Sequence, residues 1–256
     1  MPPSCVNRGG AASVLRLPGV PLLDQECALG PEQFPVLEAW AARPGEILTA
    51  VDGESSAWRI RLTRIEEQPA CVPFAKLGRS AESPLRLEVY QALPEKERFE
   101  LVLQKLTELG AARIVPVETE RSITLEERDA VQAKSHRWPE VVMRAARQCR
   151  RALLPELYAA TPFADALQLA GAAELKLMLY EGEERWSLRD AIAGQRPERV
   201  ALLVGPEGGF TAAEVNAARG AGFLPVTLGP RILRTETAAI AGAALLQGLL
   251  GDLCRS

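Results

Sequence analysis

The chain has 256 residues, 47% of them hydrophobic, and a formal net charge of −3. That is the composition of a soluble globular enzyme with one large or two small domains. The five cysteines, Cys5, Cys27, Cys71, Cys149 and Cys254, are scattered and contain no C-x-x-C pair, which argues against a disulfide framework or zinc site and suits a reducing cytoplasm. No apolar run is long enough to cross a membrane, and the N-terminal stretch lacks the apolar core of a signal peptide.

Residues 1–12 carry Pro, Ser, Asn and Gly and are predicted to be a loose extension. Short alternating segments follow at 47–51, 58–65 and 71–74, with Asp52-Gly53 as a hairpin turn between the first two. They predict a small β-barrel domain over 13–80. The stretch GRSAESP at 78–84 interrupts the pattern and marks a boundary. Beyond it, strands at 85–92, 113–117, 175–180, 200–204 and 225–228 alternate with helices at 97–109, 137–152 and 212–219. That order predicts an α/β domain with a largely parallel sheet over 84–256. A last helix over 238–250 is nearly all apolar and cannot lie on an exposed surface.

Two loops carry the chemistry. The first, LVGPEGGFTAAEV at 203–215, leaves a strand through Gly205, Gly208 and Gly209, with Pro206 stiffening the turn. Thr211 followed by Glu214 forms a capping box that starts the next helix. The second, LGPRILRTETAAI at 228–240, repeats the logic with Gly229 and Pro230. It then adds Arg231, Arg234, Thr235, Glu236 and Thr237, more polar chemistry than a turn needs. No Lys-Ser or Lys-Thr follows the glycines, so this is not a phosphate loop, and the G-x-G-x-x-G dinucleotide fingerprint is absent. Two strand-to-helix loops so close in sequence predict one ligand site built from both.

A net negative charge leaves nucleic-acid binding to a local patch. The best candidate is 134–151, where Arg144, Arg147 and Arg151 fall at i, i+3 and i+7, with Arg137 and Arg150 nearby. A solvated helix face is the competing reading. His136 reads as a surface or partly buried histidine, and Cys149 as a buried, unreactive thiol.

The two loops resemble the C-terminal motifs of the bacterial 16S rRNA uridine-N3 methyltransferases, the RsmE family of the SPOUT superfamily. LQKLTELGAARIVPVETERS at 103–122 is similar to the family's K-x-T-E-L-G…I-x-P…T-E-R-S block. Arg137-Trp138 and Arg147-Gln148-Cys149 are similar to two further segments, and the likeness runs from about Leu85 to the C-terminus. The resemblance implies an α/β SPOUT-type domain with a C-terminal trefoil knot, its parallel sheet flanked by helices, behind a small PUA-like β-barrel that recognises RNA. It implies S-adenosylmethionine as cofactor, held by backbone groups of three loops. Those loops assign cofactor contacts to Leu179, Glu181, Gly182, Leu203, Gly205, Pro206, Glu207, Gly208, Gly209, Leu228, Gly229, Ile232, Leu233, Thr235 and Thr237.

For the reaction, uridine N3 must lose a proton as the methyl arrives, so a cation and a carboxylate are needed. Arg231 and Arg234 are candidates for target-base or phosphate contact, and Glu207 and Glu236 for base or organiser. Equally open readings have Glu236 ion-paired to one of those arginines, Glu207 capping a loop, and Thr235 or Thr237 capping the last helix. RNA contact is assigned to Arg121, Arg137, Arg144, Arg147 and Arg151. Glu108 and Glu120 are read as structural. The partner is 16S rRNA or the assembled small subunit, a homodimer through the knot region is expected, and no metal or membrane is. The pattern departs from the family at 34–43, with Ala41 in place of an arginine and no histidine, at Glu95-Lys96, and at Ala152-Leu153. These departures lie in the regions assigned to RNA contact and spare the cofactor loops. Methylation of another RNA base or ribose, or a non-catalytic RNA-binding role, remain the alternatives.

Overall fold

In the computed structural model, which describes residues 4–94, 98–131, 135–182 and 186–254, the chain divides into two compact units. One comprises Asn7–Glu82 with Val142–Glu156; the other comprises Met1–Val6, Ser83–Val141 and Leu157–Ser256. The expected domain bounds, 13–80 and 84–256, therefore need correction, because 142–156 belongs with the N-terminal unit. Side chains decide this. Ala146 and Leu154 are buried in the same core as Leu15, Trp40, Ile60 and Leu62. Linear adjacency carries no information about such packing.

The N-terminal unit is built on β1 (Cys27–Ala28), β2 (Ile47–Val51), β3 (Ala57–Arg64) and β4 (Ala70–Lys76), ordered β1-β4-β3-β2 with antiparallel pairs. Alternation is plain in β3, where Ile60 and Leu62 are buried and Arg61 between them is exposed. A short helix, α1 (Phe34–Ala39), precedes Trp40, whose indole N–H donates to the Ser13 carbonyl at 2.7 Å. The turn between β2 and β3 is organised by Asp52. Its carboxylate accepts from the Glu54 and Ser56 amides at 2.9 and 2.8 Å and from the Trp58 indole at 2.7 Å. Burial pushes that carboxyl up, and the hydrogen bonds outweigh it, holding it below its ordinary value.

The extension expected over 1–12 is not loose across residues 4–12. Val6 N donates to Leu157 O at 2.7 Å, the Asn7 amide to Pro155 O at 2.9 Å, and Gly10 N to Leu154 O at 2.7 Å. Residues 1–3 lie outside the described residues, as do Glu95, Lys96, Glu97 and Lys134, on which parts of the sequence reading fell.

The other unit carries the parallel sheet. Its strands are β5 (Arg86–Ala92), β6 (Arg113–Glu118), β7 (Glu156–Leu157), β8 (Thr161–Pro162), β9 (Leu175–Leu179), β10 (Arg199–Val204) and β11 (Leu224–Val226). Their order is β11-β9-β10-β5-β6-β7, with β8 also paired to β6. The pairs β11/β9, β9/β10, β10/β5, β5/β6 and β6/β8 are all parallel. Strands β5 and β10 are buried along nearly their whole length, as befits a sheet covered on both faces.

The helices are α2 (Arg98–Glu108), α3 (Leu125–Val131), α4 (Trp138–Gln148), α5 (Phe163–Leu169), α6 (Leu188–Ile192), α7 (Ala212–Gly220) and α8 (Thr235–Leu249). Helices α1, α3, α5 and α6 were not expected, being too short to display a full apolar period. The helix expected over 137–152 stops at Gln148, and Arg150 turns the chain with φ +65°. The strand expected over 225–228 ends at Val226, because the Thr227 hydroxyl folds onto Gly229, accepting from its N–H at 3.1 Å.

One buried charge stands inside the sheet. Glu88 on β5 is fully buried, and its carboxylate accepts from Arg199 at 2.7 Å, Arg86 at 3.1 Å and Tyr90 at 3.0 Å, with Arg113 at 3.5 Å. Arg199 and Arg86 are direct cross-strand partners, so register sets the cluster. Such a carboxylate is tolerable in a sheet interior only because it is this fully paired.

Candidate functional site

Leu179, Val204 and Val226 are the last residues of β9, β10 and β11, and the register sets them side by side. The three loops that follow therefore leave from one edge, the carboxyl ends of parallel strands, where α/β sheets hold their ligands. They enclose a cavity of about 740 Å³, a volume suited to a cofactor-sized molecule.

The first expected loop forms one wall through Gly205, Pro206, Glu207 and Gly209. Gly209 has φ +66° and its N–H closes a turn onto Pro206 O at 3.0 Å, a backbone state that costs a side-chain-bearing residue strain. At Gly205 a Cβ would lie 2.9 Å from the buried Phe210 ring, so a side chain there displaces that ring. The capping box is present: Glu214 N donates to the Thr211 hydroxyl at 3.3 Å, and Glu214 Oε2 accepts from Thr211 N at 2.9 Å. Its Oε1 accepts from Glu120 N at 2.8 Å, so α7 also anchors the loop after β6.

The second loop forms the opposite wall through Leu228, Gly229, Arg231, Ile232, Leu233, Arg234 and Thr235. Arg231 and Arg234 are exposed, and Ile232 between them is 83% exposed. Leu179 and Glu181 close the cavity from the β9 side. The start of α8 contributes Thr235 and Ala238, bringing the partial positive charge of a helix N-terminus to the wall.

Thr235 ties the walls together. Its hydroxyl donates to the Gly205 carbonyl and accepts from the buried Gln91 amide at 2.9 Å. It is not the helix cap; Arg234 holds that position, without a side-chain cap bond.

Some expected positions fall elsewhere. Leu203 is fully buried among Tyr90, Val115 and Met178, because its side chain alternates away from the cavity. Gly182, Gly208 and Thr237 are exposed and do not line the cavity. Glu236 is buried behind it; instead of pairing with Arg231 or Arg234, it faces Arg98 at 3.9 Å, and its Oε2 has no partner among the described residues. Arg98 also bonds Glu207 at 3.2 Å, so one guanidinium from α2 reaches carboxylates of both loops. The reading of the sequence missed Arg98, and it missed Phe210, Val226 and Thr227 as lining residues. Their only signal was adjacency to a strand end.

The expected RNA-contact set is also redistributed. Arg147 bonds Glu46 at 2.9 Å and the Trp40 carbonyl, and Arg151, only 5% exposed, holds Glu82 at 2.7 Å. These two arginines fasten the N-terminal unit. The arithmetic of i, i+3, i+7 failed because α4 ends before Arg151. Arg121 donates to the Gly208 carbonyl at 2.9 Å and so holds the first loop. Arg137, His136 and Arg144 are exposed, and Cys149 is half-buried.

Strand-end loops rich in glycine around one cavity define this unit as a ligand-binding α/β domain. The family model described as RNA methyltransferase domain matches residues 81–247. The ribosomal RNA small subunit methyltransferase E of Mycobacterium bovis is 34% identical over 234 residues, 88% of this chain and 85% of that protein. The protein of the same name from Bacillus subtilis is 31% identical, over 68% and 70%. Among solved structures, the methyltransferase E of Neisseria gonorrhoeae bound to S-adenosyl methionine matches with TM-score 0.65 and 32% identity, covering 93% of this chain and 98% of that one. A protein of Legionella pneumophila solved with bound SAM matches with TM-score 0.67 and 36% identity, covering 94% and 99%. The chain belongs to the RNA methyltransferase domain family, in its ribosomal RNA small subunit methyltransferase E (RsmE) group.

Proposed function

We propose that this protein transfers the methyl group of S-adenosylmethionine to N3 of a uridine in 16S rRNA of the small ribosomal subunit. The observation that carries the reading is the single cavity at the ends of β9, β10 and β11, walled by both glycine loops and rimmed by Arg231 and Arg234. The similar Neisseria gonorrhoeae methyltransferase E and the Legionella pneumophila protein were both solved with this cofactor, and the residues here fit it. Apolar Leu179, Val226, Leu228 and Leu233 suit an adenine ring, and the bare backbone at Gly205 and Gly209 suits its polar edge. The cofactor supplies an electrophilic methyl on a sulfonium.

The chain's own residues do the rest. Arg231 and Arg234 stabilise negative charge developing on the base. Of the two candidate carboxylates Glu207 is the one that lines the cavity, and it takes the N3 proton; the buried Glu236 organises the site through Arg98. Within 134–151, Arg137, Arg144 and Arg150 are the exposed arginines, and each is assigned to contact with the RNA backbone. The N-terminal unit serves as a PUA-like RNA-recognition domain, and the C-terminal segment is threaded as the SPOUT trefoil knot. A homodimer is supported by exposed Leu101 on α2 and by Leu245, Leu249 and Leu253 on and after α8. The substrate, naked 16S rRNA or the assembled subunit, sets the site of action in the cytoplasm.

Nucleoside mass spectrometry of rRNA from a deletion strain tests the proposal. Loss of 3-methyluridine is the expected result. Loss of another methylated nucleoside instead would move the target, and an unchanged profile with no calorimetric binding of S-adenosylmethionine would leave an RNA-binding protein.

A further inference from the structure

Cys27 and Cys71 are direct cross-strand partners on β1 and β4, with their Sγ atoms 3.5 Å apart. They are 44 residues apart in sequence, so only the sheet brings them together. We propose that this pair is a thiol-modification site, which reacts with a small disulfide of the glutathione class and closes to an intramolecular Cys27–Cys71 disulfide.

The two thiols are unequal in ways that fix the order of events. Cys27 is half-buried and can be reached from solvent, whereas Cys71 is fully buried. A hydrogen bond from Cys71 holds the Cys27 thiol below its ordinary range, against burial and the nearby Glu26. The same contact, with burial, pushes Cys71 up. Cys27 is thus the attacking thiolate. It forms a bond to one sulfur of the oxidised glutathione and expels the other half as a glutathione thiolate. The Cys71 sulfur then attacks Cys27 Sγ, its proton leaving with the displaced glutathione. The protein thiols are oxidised by two electrons, and one small disulfide is reduced to two thiols.

The geometry permits closure. A disulfide needs its sulfurs about 2.05 Å apart, so the pair must close by roughly 1.5 Å. Strand β1 is two residues long and lies at the end of the sheet order, so it can make that adjustment without disturbing β3 or β2. Oxidation then pins this edge strand to β4. Cys5 sits opposite Tyr158 and Cys254 follows α8; both are exposed and serve as internal controls for single glutathionyl adducts.

The test uses the full-length protein, fully reduced and then exposed to oxidised glutathione, with intact mass and non-reduced tryptic mapping. A cross-linked peptide pair joining Cys27 to Cys71, released by dithiothreitol, is expected, and amide exchange at 27–29 should slow with it. Cys71→Ser should arrest at a glutathionyl adduct on Cys27, and Cys27→Ser should lower modification of Cys71 by roughly tenfold or more. Should a variant fail to fold, mapping of the wild-type chain decides alone. Adducts on Cys5 and Cys254 without any Cys27–Cys71 link, or modification of Cys71 ahead of Cys27, would overturn the proposal.

Discussion

Gly205 combines three constraints at one residue. Its carbonyl accepts from Thr235, its missing Cβ leaves room for the Phe210 ring, and its backbone faces the cavity. Gly205→Ala is therefore expected to weaken S-adenosylmethionine binding by about tenfold, or about 1.4 kcal/mol, with RNA affinity unchanged. Calorimetry on the variant checks this, and a dissociation constant like that of the wild type would contradict it. Glycine content made this position legible in the sequence. The carboxylates were not legible in the same way. Glu207 and Glu236 looked equivalent on paper, and both face Arg98, yet one lines the cavity and the other is buried outside its lining. Helix α2, which brings that arginine, lies far away in sequence, so no local pattern could rank them.

At the scale of elements, the features written locally were readable and the shared ones were not. The Thr211–Glu214 box and the apolar runs of β5 and β10 depend on neighbouring residues alone, and the reading of the sequence located them closely. Thr211→Ala removes the cap of α7 and is expected to cost about 1 kcal/mol. Because Glu214 also holds Glu120 N, the loop after β6 should loosen with it. Urea unfolding, together with amide exchange at Glu120, measures both effects; stability within a few tenths of the parent would count against the cap. The arginine face of α4 went the other way. Arg147 and Arg151 are paired to Glu46 and Glu82, residues whose proximity follows from packing within the N-terminal unit. Charge spacing along a helix cannot reveal that its partners are already supplied.

For the whole molecule, the exposed leucines matter most. Leu101, Leu245, Leu249 and Leu253 are between 42% and 51% exposed, although α8 is too apolar to face water by choice. The homodimer reading requires that they be covered by a second copy. Sedimentation at micromolar concentration should give the dimer mass, and Leu245→Asp with Leu249→Asp should shift it toward the monomer. A wild-type monomer would defeat that reading.

By itself the sequence determined the strand-to-helix alternation of the larger unit, both glycine loops, the capping box and the family, because each is encoded over short range in residue type and spacing. Tertiary structure alone decided four things. It put 142–156 in the N-terminal unit, surrounded Glu88 with three arginines, joined the two loop carboxylates through Arg98, and set Cys27 against Cys71. Each is a contact between distant segments, fixed by sheet register and by which side chains exclude water together, and neither quantity is written along the chain.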